Sequence, residues 1–222
     1  EKEECRMTEN TEQYWEQAWS REEMERLHSL LRERPFDKQE VLEQFQRNRV
    51  KKLCDVGCGF GFYASHFARA GFAVSGIDIA ASSVQLTRQL LREQGLQPGE
   101  FAAAPATDIP FADRSFDAVF CNSVVDHMTL TEAERAIGEM ERIAAPGGLI
   151  YLSFDLLDED DWALPHDLLP DGSLRYTQGR REGMVLHPHS LQTVQKLLAG
   201  KNNIFLREHA GQVEALYQKE EL

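Results

Sequence analysis

The segment Leu53-Cys54-Asp55-Val56-Gly57-Cys58-Gly59-Phe60-Gly61 carries an apolar run straight into three alternating glycines. Val50 to Val56 reads as a short buried strand, and Phe62 to Ala70 as a helix closed by Gly71. Glycines at this spacing permit a tight turn and close backbone approach. The helix start behind them presents unpaired N–H groups to an anionic group. By itself such a glycine-rich turn is a weak signal, and it has a rival reading as a dinucleotide site. The dinucleotide fingerprint G-x-G-x-x-G fails here, because Phe62 stands where its third glycine belongs.

Outward from this segment, strand and helix alternate. Phe72 to Asp78 is strand-like, and Ala81 to Gln94 is helical with Gly95 behind it. Phe101 to Ala104 is a weak strand, and Phe116 to Cys121 a strong one. Thr131 to Glu134 has capping-box spacing for another helix, which Pro146-Gly147-Gly148 ends, and Leu149 to Phe154 follows as a strand. Alternation from about 50 to 154 predicts an α/β fold with a mostly parallel sheet covered on both faces. Three carboxylates, Asp55, Asp78 and Asp108, stand at strand C-termini, where open α/β sheets bind ligands.

These motifs resemble those of class I S-adenosylmethionine-dependent methyltransferases of the small-molecule type. That family carries an acidic residue before G-x-G-x-G, as at Asp55, Gly57, Gly59 and Gly61. The order continues with Gly76-Ile77-Asp78-Ile79, Asp108-Ile109-Pro110-Phe111, Ser115-Phe116-Asp117, Val124-Val125-Asp126-His127 and Pro146-Gly147-Gly148. The resemblance implies a Rossmann-like seven-stranded sheet with helices on both faces, S-adenosylmethionine as cofactor and S-adenosylhomocysteine as product. It places Gly57, Gly59 and Gly61 against the methionine part, with Asp55 toward its ammonium. Asp78, with Ile79 beside it, would take the ribose hydroxyls. Asp108 and the Ile109 N–H would read adenine, and the Asn122 carbonyl oxygen would lie near the methionyl amine. His127 is either a general base or a structural hydrogen-bonder. No metal is implied, since metal-dependent catechol-type enzymes carry an Asp where Asn122 stands. The motifs for amino-group methylation of adenine or glutamine and for covalent attack on cytosine are also missing.

The whole chain is read as one methyltransferase domain over residues 1–222, with a helical cover at 1–49 and an insertion at 155–189. A helix is expected over Thr11 to Arg34 behind a frayed start, then a second capped by Asp37. Tyr14, Trp15 and Trp19 form an aromatic stripe, either core packing or a lid. A 35-residue stretch between the last parallel strand and the Ser190 helix exceeds an ordinary connection and is expected to close over the site. Val213 to Gln218 and Ile204 to Arg207 read as final strands.

Net charge narrows the partners. At −13 over 222 residues the chain repels nucleic acid, and the basic run Arg47 to Lys52 leads into a strand as a solvated edge. A small-molecule substrate is expected instead. No apolar run reaches membrane length, and Glu1 to Glu4 is charged where a signal peptide is apolar, so a cytoplasmic protein is expected. Cys5, Cys54, Cys58 and Cys121 lack zinc-ligand spacing and read as buried free thiols. Two rival functions stand beside the enzyme: a non-catalytic cofactor-binding sensor, and a nicotinamide-dependent oxidoreductase.

Overall fold

The computed structural model describes the backbone of residues 2–221 and the side chains of residues 11–221. Its main sheet has seven strands in the order β3-β2-β1-β4-β5-β10-β9. These are β1 (Lys52–Val56), β2 (Ala73–Asp78), β3 (Phe101–Ala103), β4 (Phe116–Asn122), β5 (Ala144–Asp155), β9 (Asn202–His209) and β10 (Gln212–Gln218). The first five run parallel, and β10 inserts antiparallel between β5 and β9.

Central strands are apolar on both sides because both sides are covered. Along β4, Ala118 and Phe120 join one buried cluster while Val119 and Cys121 join the other. The first cluster receives α3 (Gln39–Arg47), α4 (Phe62–Arg69) and α5 (Ala81–Glu93) through Phe45, Phe67 and Leu91. The second receives α6 (Leu130–Ile143) and α8 (Leu191–Leu197) through Ile137, Met140 and Val194. Phe120 is fully buried, which contributes roughly 1.5–3 kcal/mol.

Several boundaries differ from the sequence reading for local reasons. The N-terminal helix is two: α1 (Lys2–Trp19), which reaches back through the segment expected to fray, and α2 (Met24–Glu33). Asp37 does not cap α3. Lys38 holds that position without a side-chain cap bond, and Asp37 instead accepts from the Tyr63 hydroxyl at 3.0 Å. The capping box of α6 lies two residues earlier than expected, with Thr129 and Glu132 as its members. Helix α6 stops at Ile143 and Ala144 already pairs with Phe116, so Pro146-Gly147-Gly148 forms an irregularity inside β5 rather than a helix stop. Cys54, Cys58 and Cys121 are buried free thiols, while the side chain of Cys5 lies outside the described residues.

The insertion is a small folded unit. After α7 (Glu159–Ala163) come β6 (His166–Leu168), β7 (Leu174–Tyr176) and β8 (Val185–Leu186), an antiparallel three-stranded sheet. Leu174, Tyr176, Met184 and Leu186 form its core, and Tyr14 and Trp15 of α1 pack against it. Among the described residues no helix is long and apolar enough to cross a membrane.

Candidate active site

The turn after β1 is folded back onto the end of β2. The N–H groups of Gly57 and Cys58 both donate to the Ile77 carbonyl, at 2.8 and 2.9 Å. Gly57 has φ +74°, and a Cβ there would overlap Cγ2 of Val124 in the loop after β4. The glycine is required twice, by its backbone angle and by this contact. Further along, the Gly59 carbonyl accepts from the hydroxyls of Ser83 and Thr87 on α5, at 2.5 and 2.9 Å.

Asp78 joins the turn to the next helix. One carboxylate oxygen accepts from Gly59 N–H at 2.9 Å and the other from Ala80 N–H at 3.0 Å. Burial raises its pKa against these bonds, with a contribution from the nearby Glu16. A carboxylate has about four acceptor sites, so two remain for a ligand.

A cavity of about 260 Å³ opens between this turn and α1. Trp19 lies against Gly59, and its ring carbons would meet a Cβ there at 3.2 and 3.3 Å. Trp15 sets its ring edge to the His127 ring, with centroids 4.9 Å apart. His127 ends a single 3-10 turn, Val125–His127, behind β4. Glu16 fastens α1 to α5 by accepting from Ser82 N–H at 3.1 Å. The far wall carries Arg34, whose guanidinium lies 4.5 Å over the Phe62 ring and donates to the Tyr63 hydroxyl at 2.7 Å.

With this geometry in view, the Methyltransferase domain family matches residues 54–152. The malonyl-[acyl-carrier protein] O-methyltransferase of Erwinia billingiae is 30% identical over 115 residues, 52% of this chain and 43% of that protein. The chloroplastic tocopherol O-methyltransferase of Arabidopsis thaliana is 35% identical over 115 residues, 50% of this chain and 32% of that protein. The chain thus matches under half the length of these curated relatives. A solved S-adenosylmethionine-dependent methyltransferase from Methanosarcina mazei superposes with a TM-score of 0.69 at 23% identity, over 83% of this chain and 99% of that one. The match to that family takes in a little under half of the chain, and the superposition shows that the chain has the fold of that solved methyltransferase. The seven-stranded order described above is the sheet of that fold.

The cleft gathers some of the residues named from sequence and leaves others away. Gly57, Gly59, Asp78, Ile79, Asn122 and His127 are on its wall, as are Trp15 and Trp19. Asp55 is not. Its carboxyl is 2% exposed behind the turn, one oxygen has no partner, and burial with the nearby Asp78 pushes its pKa up to about 8. Gly61 caps α4 against Thr87. Asp108 is exposed off the wall, and Ile109 cannot offer its N–H to adenine because Glu139 of α6 accepts it at 2.8 Å. Segment 104–107 lines that end instead. Tyr14 turns to the insertion core, and no residue of the insertion reaches the wall, so it stands behind α1 rather than over the cleft.

Sequence reasoning missed Arg34 and Ser123. Arg34 is 23 residues before Gly57 in a different helix-to-loop junction, and no motif marks it. Ser123 adopts φ +53°, a left-handed angle uncommon for a non-glycine residue and often found at functional sites. Its hydroxyl donates to Asp155 at 2.9 Å. Asp126, His127 and Asp155 bring one atom each within 4.8 Å of one another. Asp155 is already bonded to Ser123 and Gln212, so this cluster is satisfied in part by the chain itself.

Proposed function

We propose that this protein is an enzyme that moves the methyl group of S-adenosylmethionine to an oxygen, nitrogen or sulfur of a small-molecule acceptor. The observation that carries the reading is Asp78, a 7% exposed carboxylate at the end of β2, held by two backbone N–H groups at the cleft. Two acceptor sites left on it match two neighbouring ribose hydroxyls. Gly57 and Gly59 let the chain pass close to the methionine part. Arg34, seated on Phe62, is suited to its carboxylate by the planar fork of the guanidinium. Asn122 and Ser123 border the same part of the cleft.

When bound, the sulfonium supplies both the methyl group and a good leaving group. The protein therefore has to align the acceptor, exclude water and take at most one proton. Trp15 and Trp19 cover the cleft from α1, and His127 beneath Trp15 is the proton acceptor. Helix α1 serves as the lid, with the insertion as its support. Relatives named for tocopherol and for malonyl-acyl-carrier protein favour a metabolite-type acceptor.

The test is incubation with isotope-labelled cofactor and a metabolite extract, followed by mass spectrometry of labelled products. A labelled product is expected, and His127→Ala should reduce its formation roughly 100-fold with little change in cofactor affinity. Absence of any labelled product across extracts, with the cofactor still bound, would leave the sensor reading in its place.

A further inference from the structure

On the S-adenosylmethionine reading, the methionine end of the cleft has two flanks, Arg34 on one side and Asn122 with Ser123 on the other. Side chains behind the cleft join them, and a central one is Gln212, which no sequence motif marks.

Ser123 has to be held. Its φ of +53° is left-handed, a conformation that a residue with a Cβ keeps only where its surroundings over-determine it. The Ser123 N–H donates to the Ser153 hydroxyl at 3.0 Å, and the Ser123 hydroxyl donates to Asp155 at 2.9 Å. Ser153 donates to the Asn122 side-chain oxygen at 3.0 Å, and the Asn122 amide donates to the Ser123 hydroxyl at 3.1 Å. A further support comes from the last hairpin. Gln212, the first residue of β10, stands directly opposite Asp155, the last of β5, so both side chains lie on one face of the sheet. Its Nε2 donates to Ser123 Oγ at 2.8 Å and to Asp155 Oδ1 at 2.6 Å.

Gln212 can face only one way. Its Oε1 accepts from Lys38 Nζ at 2.8 Å, and an ammonium has nothing with which to accept. At the other end Asp155, as a carboxylate, has nothing with which to donate. Reversing the amide would set N–H against ammonium and C=O against carboxylate. Lys38 is itself fixed. It is 4% exposed and donates at 2.7 Å to Glu214, a buried carboxylate that also accepts from the Tyr151 hydroxyl at 2.9 Å. Beside Lys38, Asp37 accepts from the Tyr63 hydroxyl, which accepts from Arg34. The short loop ahead of α3 therefore anchors both flanks, and a directional chain of satisfied polar groups is rigid.

We propose that Gln212 is a positioning residue for the amino-acid part of the cofactor: it carries the fixed position of Lys38 to Ser123 and so sets the gap between Arg34 and the Asn122–Ser123 wall. That gap has to match a carboxylate on one side and an ammonium on the other. Gln212 is not on the cleft wall, so its effect passes through Ser123. The nucleoside half, at Asp78 and segment 104–107, has no share in the gap.

The experiment is calorimetry on the full chain with two ligands. S-adenosylhomocysteine carries the amino-acid part, whereas methylthioadenosine keeps the nucleoside and sulfur and lacks it. Gln212→Met, close in length but without donors, should weaken S-adenosylhomocysteine about tenfold and leave methylthioadenosine within about twofold. Gln212→Glu, which keeps an acceptor for Lys38 and loses both donations, should show the same selective loss. A role in stability alone would move both ligands together or neither, and either result overturns the proposal. If neither variant folds, the side-chain amide signals of Gln212 in the unsubstituted protein decide. Slow exchange is expected, with a shift on adding S-adenosylhomocysteine and none on adding methylthioadenosine; rapid exchange, or equal shifts with both, overturns it. Failure of the unsubstituted protein to bind either ligand would overturn the S-adenosylmethionine reading and this assignment with it.

Discussion

Replacing Asp55 by Asn keeps the side chain's shape and removes a carboxyl that the fold holds away from water. In the folded chain its pKa stands at about 8, raised first by burial and then by Asp78. In the unfolded chain it is about 3.9. Below pH 4 both states hold the proton and the residue has no pH-dependent effect. Between about 4 and 8 the unfolded chain is ionised while the folded chain keeps its proton, so stability falls as pH rises. The slope is at most about 1.36 kcal/mol per pH unit, which over four units sets an upper bound near 5 kcal/mol. Local relaxation lowers this, and roughly 2–4 kcal/mol is expected. Urea unfolding of both proteins at several pH values measures it. The stability of Asp55→Asn relative to the unsubstituted protein should climb steadily from pH 4 to 8 and then level. A difference that is flat across that range would refute the claim that this carboxyl is buried protonated.

Three further outcomes follow from the cleft. Gly57→Ala should lower the melting temperature and weaken S-adenosylhomocysteine binding at least tenfold, because it adds the Val124 overlap to about 1–2 kcal/mol of left-handed strain. Gly71→Ala, at φ +97° with nothing within 4 Å, carries backbone strain alone and should leave affinity unchanged, so equal effects on affinity would sink the contact argument. Amide exchange should slow in α1 when cofactor binds, and in the insertion with it because its core closes on Tyr14 and Trp15; identical exchange with and without ligand would end the lid assignment.

How much of this was legible in the sequence depends on the range of the interaction. The strand–glycine–helix unit and Asp78 follow from residues adjacent in the chain, and the structure places them as expected at the ends of β1 and β2. The covered parallel sheet was also readable, since an apolar strand such as Phe116 to Cys121 needs packing on both faces. Residues whose roles depend on distant partners were not readable. Ile109 loses its N–H to Glu139, 30 positions away, which no local motif records. Asp37 looks like a cap, but the neighbouring Tyr63 hydroxyl claims it across the fold. Tyr14 and Trp15 are adjacent on one helix, about 100° apart around its axis, so one faces the insertion while the other also meets His127. Arg34 enters the cleft because α2 ends beside Phe62, a tertiary accident of position that its sequence surroundings do not signal.

The central claim is that Asp78 and the turn after β1 form a site for S-adenosylmethionine, and calorimetry on the intact chain tests it most directly. One site is expected for S-adenosylmethionine and for S-adenosylhomocysteine, with no binding of NAD. Asp78→Ala should weaken both ligands by about 1.5–3 kcal/mol, the range for hydrogen bonds to a charged group, or roughly 10- to 150-fold. Tight NAD binding, or an Asp78→Ala protein with unchanged affinity for S-adenosylhomocysteine, would contradict the account.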